Sequence, residues 1–238
     1  MSDRSSVASS RRAAASGALP GAVLWDMDGT LVDTEPYWMA EEVALVEAWG
    51  GTWTVRDAQA IVGNDLLVGA QYMIEHSAIR LTPLEVVQTM LRGVTTRVRE
   101  IGAPWRPGAR ELLDSCTAEG IPCAMVTMSW RSLTDALVEV LPPGTFGSVV
   151  TGDEVSRGKP YPDPYLAAAA ALGVAPQSCI AIEDSPTGVA SAVAAGVPTI
   201  AVPHVVAVPV TRGVVQVATL AGLTAYDLVD LLNAASTP

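Results

Sequence analysis

Two aspartates stand two residues apart in "LWDMDGTLVDTE": Asp26 and Asp28, followed by Gly29 and Thr30. An apolar run leads into them, so they end a buried strand at a turn. In that setting one carboxylate can attack an electrophile while its neighbour handles protons. Gly29 lets the backbone bend and present its amides to an anion. Two other short stretches end the same way, in polar groups after apolar runs, and one lysine lies beyond a third strand-like run. Thr127-Met128-Ser129 follow "CAMV", Lys159 lies in "EVSRGKPYPDPYL", and Glu183-Asp184 follow "CIAI". Together they offer carboxylates, a hydroxyl and one ammonium. Acidic groups crowd together only with compensation. A hard divalent cation supplies it, and a set of oxygen ligands suits Mg²⁺. Thr127 can donate to a phosphate oxygen, and Lys159 can supply positive charge.

Lys159 is the single lysine of a chain whose other basic residues, apart from two histidines, are arginines. Lysine presents a compact ammonium on a flexible stem, whereas arginine presents a wide planar fork. A cramped anionic site explains why the exception falls here.

The elements that must position these groups follow from the pattern of the chain. After the strand carrying Asp26, residues 36–102 read as an all-helical block. Its helical segments are "EPYWMAEEVALVEAWG", "TVRDAQAIVG", "NDLLVGAQYMIEHSA" and "TPLEVVQTMLRGVTTRVREIG", with Thr54, Asn64 and Thr82 as candidate N-caps. A Pro-rich linker, "APWRPGA", ends the block. Beyond it, four helix-then-strand units specify a parallel sheet with helices on both faces. The "AVPHVVAVPV" stretch reads as loop or edge structure, and "TAYDLVDLLNAA" as the last helix. The expected fold is therefore α/β, a doubly wound, Rossmann-like core formed by residues 20–35 and 103–238, with an inserted helical cap. Residues 1–19 read as a disordered tail. In such sheets ligands bind at the carboxyl ends of the strands, where all four polar groups fall.

Bulk composition narrows the function classes. With 238 residues, half of them apolar, the chain can bury a large core. A formal net charge of −11 offers no basic face for nucleic acid. No apolar run reaches membrane-spanning length. Cys116, Cys123 and Cys179 show no metal-binding spacing and read as reduced thiols of a cytoplasmic protein. His76 and His204 lack metal-binding partners in sequence and read as structural or exposed. Trp38, Trp49 and Trp53 read as packing within the cap, and Asp33, Thr34 and Glu35 as braces of the turn. Thr127 is also read as a cap for the helix that follows it. Arg131 could meet a polar substrate group or simply begin a solvated helix. The chain is taken as a monomer, with a dimer as the alternative.

The constellation resembles the haloacid dehalogenase-like hydrolase superfamily. "WDMDGTLVDTE" matches its first motif, "MVTMS" its second, "GKPYPDPYL" its third and "IEDSPTGVASAVAAG" its fourth, in the right order. The branch it looks most like contains beta-phosphoglucomutase and its phosphatase relatives, which carry a helical cap. The resemblance implies that Asp26 is the nucleophile and forms an aspartyl-phosphate. It implies that Asp28 protonates the leaving alcohol and then activates water, while Thr127 and Lys159 hold the phosphoryl group. Mg²⁺ would be held by Asp26, the Asp28 carbonyl and Asp184, with Glu183 as a further ligand or a neighbour of the ligands. Gly29, Met128 and Ser129 would line the phosphoryl site, Arg131 the substrate side, and Gly63 and Asn64 fall where relatives place a substrate-reading cap loop. The cap would close over the site and exclude bulk water.

Within the superfamily, Asp28 argues against a dehalogenase, which has no alkoxide to protonate. Phosphonatases need a cap lysine, and this chain has none there. A mutase would carry a cap histidine where Trp38 stands and a basic residue soon after Gly63, where "NDLLV" follows. The expected activity is therefore a Mg²⁺-dependent phosphatase for a small phosphomonoester, such as a sugar phosphate or nucleotide. A beta-phosphoglucomutase-like sugar phosphomutase is the alternative, with Arg131 as a replacement cation. A catalytically silent binding module is disfavoured, because the nucleophile and the acid are both present.

Overall fold

A computed structural model describes residues 18–61 and 66–236. Gly63, Asn64 and most of the expected N-terminal tail lie outside the described residues. Six parallel strands form one sheet in the order β3-β2-β1-β4-β5-β6. They are β1 Ala22–Trp25, β2 Cys123–Val126, β3 Ser148–Val150, β4 Cys179–Glu183, β5 Thr199–Ala201 and β6 Val214–Gln216. This is the doubly wound order, reversing direction between β1 and β4.

All residues of β1, β2 and β4 are buried. Alternation along β1 sends Ala22 and Leu24 to one face. There they join Ala124, Ala181, Ala168 and Ala169 in a core of small side chains. The last two belong to α7, Asp163–Leu172, whose "AAAAAL" run lets its backbone approach the sheet closely.

By Cα proximity the chain divides into two compact units. One comprises residues up to Val32, Trp105–Arg131 and Leu141 onward, and contains the sheet. The other comprises Asp33–Pro104 and Ser132–Val140. In it lie α1 Glu35–Ala48, α2 Val55–Gln59, α3 Leu66–Glu75, α4 Pro83–Ile101 and nearly all of α6, Arg131–Glu139. The sequence pattern groups α6 with the sheet helices. Its grouping with the helical block fits the paired bonds from Arg99 of α4 to Glu139, Nε–Oε2 at 2.9 Å and a second nitrogen to Oε1 at 3.2 Å.

Local rules explain the helix starts. Thr54 and Thr82 each form a capping box, with Asp57 and Glu85 reaching back to the cap residue. Within the helical unit, Trp53 donates from Nε1 to the buried carboxylate of Glu42 at 2.9 Å. The His76 ring stacks on Tyr72 with centroids 3.8 Å apart, a structural role. Trp38 donates to Thr34 Oγ1 at 3.1 Å, while Trp49 is partly exposed.

The two crossings between the units leave the sheet unit side by side. Val32 and Trp105 form an antiparallel bridge, and the Arg106 amide donates to the Leu31 carbonyl at 2.9 Å. Asp33 and Pro104 continue the pairing at 2.9 Å. The remaining helices are α5 Ala109–Ala118, α8 Pro186–Ala194 and α9 Ala225–Ser236. The sequence pattern gives five strands. The sixth, β6, pairs at the sheet edge and follows β5 with no helix between them, so it falls outside the helix-then-strand units. Among the described residues no helix is long and apolar enough to cross a membrane.

Candidate active site

Strand register brings the distant polar residues together. Trp25 lies beside Met125 on one side and Ile182 on the other. The next residues are therefore Asp26, Val126 and Glu183, at adjacent strand tips. The Asp26 amide donates to the Ile182 carbonyl at 3.0 Å, continuing the ladder one residue past β1.

Lys159 fills the space between these tips. Its side chain is 4% exposed, and Nζ donates to three acceptors. They are Asp26 Oδ1 at 2.6 Å, Glu183 Oε1 at 2.5 Å and the Val126 carbonyl at 2.9 Å. Three acceptors match the three protons of an ammonium. Burial alone would lower the Lys159 pKa, but the carboxylates of Asp26 and Glu183 hold it above the ordinary lysine value.

Glu183 is wholly buried, and its oxygens already accept from protein donors. Oε1 accepts from Lys159 and from the Tyr165 hydroxyl at 2.8 Å. Oε2 accepts from the amides of Asp184 at 3.2 Å and Ser185 at 3.4 Å, and from Ser185 Oγ at 3.2 Å. Beneath it lies Gly188 in the first turn of α8, where an added Cβ would meet Glu183 Oε1 at 1.8 Å. Ser185 caps that helix, accepting from the Gly188 amide at 3.0 Å.

Asp26 and Asp184 remain. Asp26 Oδ1 is pinned by Lys159, whereas Oδ2 is buried without a hydrogen-bond partner. Burial pushes the Asp26 carboxyl up to about 7, with Lys159 opposing and Glu183 adding to the shift. Burial and the charges of Asp26 and Glu183 push Asp184 up to about 8. One ammonium does not balance three carboxylates, and Asp26, Glu183 and Asp184 each bring an oxygen within 4.8 Å of the others. A divalent cation fits this donor set. Because Glu183 is engaged by the protein, Asp26 and Asp184 are the carboxylates best placed to hold it. Gly29 makes room: at φ +89° its missing Cβ would lie 2.1 Å from Asp184 Oδ2.

Asp28 is half-buried on the turn after Asp26, and bridges to Val32. The Gly29 amide closes that turn onto the Val32 carbonyl at 2.7 Å. Arg106, from the second crossing, donates from Nε to the Gly29 carbonyl at 3.2 Å. Thr127 is buried, and its Oγ1 accepts from the Ser129 amide at 3.0 Å, leaving its proton free to donate. Thr127 thus turns the strand tip and does not cap α6. The amide of Arg131, first residue of α6, is satisfied by Asp153 Oδ1 at 3.1 Å instead.

The Arg131 guanidinium is engaged by both oxygens of Glu154 and by the Val149 carbonyl at 3.0 Å. Its expected role toward substrate gains no support from that arrangement. Two groups were not singled out from sequence. Tyr165 stands inside the quoted "GKPYPDPYL", where its phenol was a readable signal. Arg106 stands in the linker and carried none.

The comparisons with known proteins agree with this geometry. The haloacid dehalogenase-like hydrolase family model matches residues 20–196. The chain is 36% identical to hexitol phosphatase A of Escherichia coli strain K12, over 75% of this chain and 81% of that protein. It is 32% identical to protein CbbY of Rhodobacter capsulatus, over 76% of this chain and 85% of that one. The crystal structure of CbbY from Rhodobacter sphaeroides in complex with phosphate superposes with a TM-score of 0.78 at 24% identity. That match covers 88% of this chain and 100% of the other, and it speaks for the fold. Strand order, the polar groups at the strand tips and the sequence matches converge: the chain belongs to the haloacid dehalogenase-like hydrolase family.

Proposed function

We propose that the protein is a Mg²⁺-dependent phosphatase that hydrolyses a small phosphomonoester, a phosphorylated sugar or polyol, through an aspartyl-phosphate. The observation that carries this reading is the division of labour on Asp26, with one oxygen held by Lys159 and the other unpartnered. A carboxylate so held presents a single oxygen as nucleophile. In the first step that oxygen bonds to phosphorus as the bond from phosphorus to the ester oxygen breaks. Asp28 gives its proton to the departing alkoxide. In the second step Asp28 takes a proton from water, which attacks the same phosphorus and frees Asp26.

Thr127 donates to a phosphoryl oxygen, and Lys159 offsets the charge that spreads over the phosphoryl group. Glu183, Tyr165 and the Val126 carbonyl hold Lys159 in place. Mg²⁺, held by Asp26, Asp184 and the Asp28 carbonyl, would neutralise phosphate charge when bound. Residues 36–102 act as the cap that selects substrate. The similarity to hexitol phosphatase A favours phosphorylated polyols and sugars within the substrate class. The engagement of Arg131 by Glu154 favours hydrolysis over mutase chemistry, which needs a second anion site.

The test is phosphate release from a panel of hexitol, hexose and nucleoside monophosphates, with Mg²⁺ and with chelator. Release that needs Mg²⁺ and disappears in Asp26→Asn is the expected outcome. Turnover by Asp26→Asn near the wild-type rate would overturn the assignment.

A further inference from the structure

The Met128 side chain reaches from the tip of β2 to the backbone that delivers Lys159. Its sulfur accepts from the Lys159 amide at 3.3 Å. A Cβ added at Gly158 would lie 2.3 Å from Met128 Cε and 3.0 Å from Sδ, so the methylthio group rests on that glycine. The Met128 backbone is seated as closely at Gly152, where an added Cβ would meet its carbonyl oxygen at 2.2 Å. The residue is nevertheless 38% exposed, whereas Met27, Met73, Met90 and Met125 are buried. Met39 is half-buried.

We propose that Met128 is a positioning residue for Lys159 and the site at which a peroxide inactivates the enzyme. The second part rests on the reading of Lys159 given under Proposed function. The chemistry balances. A sulfur lone pair takes the terminal oxygen of hydrogen peroxide, the O–O bond breaks, and water leaves. The thioether is oxidised to a sulfoxide and the peroxide is reduced, with no proton left over.

The geometry converts this change into lost function. An N–H···S contact of 3.3 Å leaves no room for an oxygen between the atoms. A sulfoxide oxygen accepting from the Lys159 amide at about 2.9 Å forces the sulfur away from that nitrogen by roughly 0.6–1.1 Å. An oxygen on the other lone pair leaves the sulfur a poorer acceptor and crowds Gly158. Either product moves or loosens the segment whose Nζ sits 2.6 Å from Asp26. Catalytic groups tolerate little misplacement. The three cysteines are free but buried, so they are poor competitors for the oxidant.

The experiment treats the full chain, wild type and Met128→Leu, with hydrogen peroxide. Activity is expressed relative to each protein's own untreated sample. Peptide mass spectrometry follows oxygen uptake at each methionine. The wild type is expected to lose about tenfold in kcat with KM little changed, in step with oxygen uptake at Met128. Methionine sulfoxide reductase should restore it, and Met128→Leu, whose kcat before treatment should already be lower because the Lys159 amide has lost its sulfur acceptor, should lose no further activity. Hydrogen exchange supplies a readout that needs no substrate: the Lys159 amide should exchange faster in the sulfoxide form. Parallel inactivation of Met128→Leu, uptake elsewhere before Met128, or a fully active Met128 sulfoxide would each overturn the proposal. If Met128→Leu does not fold, oxygen uptake and exchange in the wild type still decide it. If no phosphomonoester is turned over, those two measurements separate failure of the proposed function from failure of this inference.

Discussion

Replacing Lys159 with arginine conserves charge and should still disable the enzyme. The ammonium touches Asp26 Oδ1, Glu183 Oε1 and the Val126 carbonyl, all within 2.9 Å, and the side chain is 4% exposed. A guanidinium carries its nitrogens in one plane around a central carbon, so it cannot aim three donors from a single point. It is also larger, and overpacking a closed site costs about 1–3 kcal/mol. Losing one charged hydrogen bond adds roughly 1.5–3 kcal/mol. Displacing a positive group from the phosphoryl site costs about 10²–10³ in turnover, by analogy with removing one oxyanion donor.

Lys159→Met tests the opposite extreme. It leaves Asp26 and Glu183 buried without their cation, and removing one member of a buried ion pair costs about 3–5 kcal/mol. The assay is kcat/KM on the best phosphomonoester from the panel, beside urea unfolding of all three proteins. Lys159→Arg should fall at least about a hundredfold in kcat/KM and unfold at lower urea. Lys159→Arg within about threefold of wild type, with an unchanged midpoint, would refute the argument that the site admits only a compact ammonium.

Other predictions concern positioning and stability. Arg106→Met removes the donor on the Gly29 carbonyl and should lower kcat about tenfold with little change in KM; steady-state kinetics decide it. Burial raises the pKa of Glu42, so the folded state binds that proton more tightly than the unfolded chain does. The cost to the wild type therefore grows as pH rises from the unfolded value, about 4.3, through the raised folded value. Glu42→Gln keeps an acceptor for Trp53 and should raise the melting temperature at pH 7, with the gain vanishing near pH 4; a gain independent of pH contradicts this. Thr82→Ala removes the N-cap of α4 and should cost about 1 kcal/mol in urea unfolding, without altering kcat.

Much of the site was legible because its chemistry lies at strand ends. Apolar runs ending in Asp26, Thr127 and Glu183 identify both the strands and the groups they carry, and a parallel sheet aligns those ends. Lys159 was legible as the single lysine. What was not legible depends on contacts between distant residues. Glu183 and Asp184 are adjacent acids in sequence, yet one is enclosed by Lys159, Tyr165 and Ser185 while the other stands against Gly29. Arg131 read as a candidate for substrate because its partner Glu154 is 23 residues away. Arg106 acts across 77 residues on a backbone carbonyl, which leaves no pattern in either segment. β6 follows β5 with no helix between them, so the helix-then-strand alternation that reveals the other strands does not mark it.

The pairing of Val32 with Trp105 has a thermodynamic consequence. The helical excursion begins and ends at one bridge, so from the standpoint of the sheet it is a closed loop of roughly seventy residues. Loop-closure entropy varies with the logarithm of length, so an eightfold shorter excursion would change the closing cost by only about 2 kcal/mol. The sheet and its strand tips are thus nearly indifferent to the size of what hangs between Val32 and Trp105. The length of that segment can therefore vary at little entropic cost to the closure, provided its packing with Ser132–Val140 is kept.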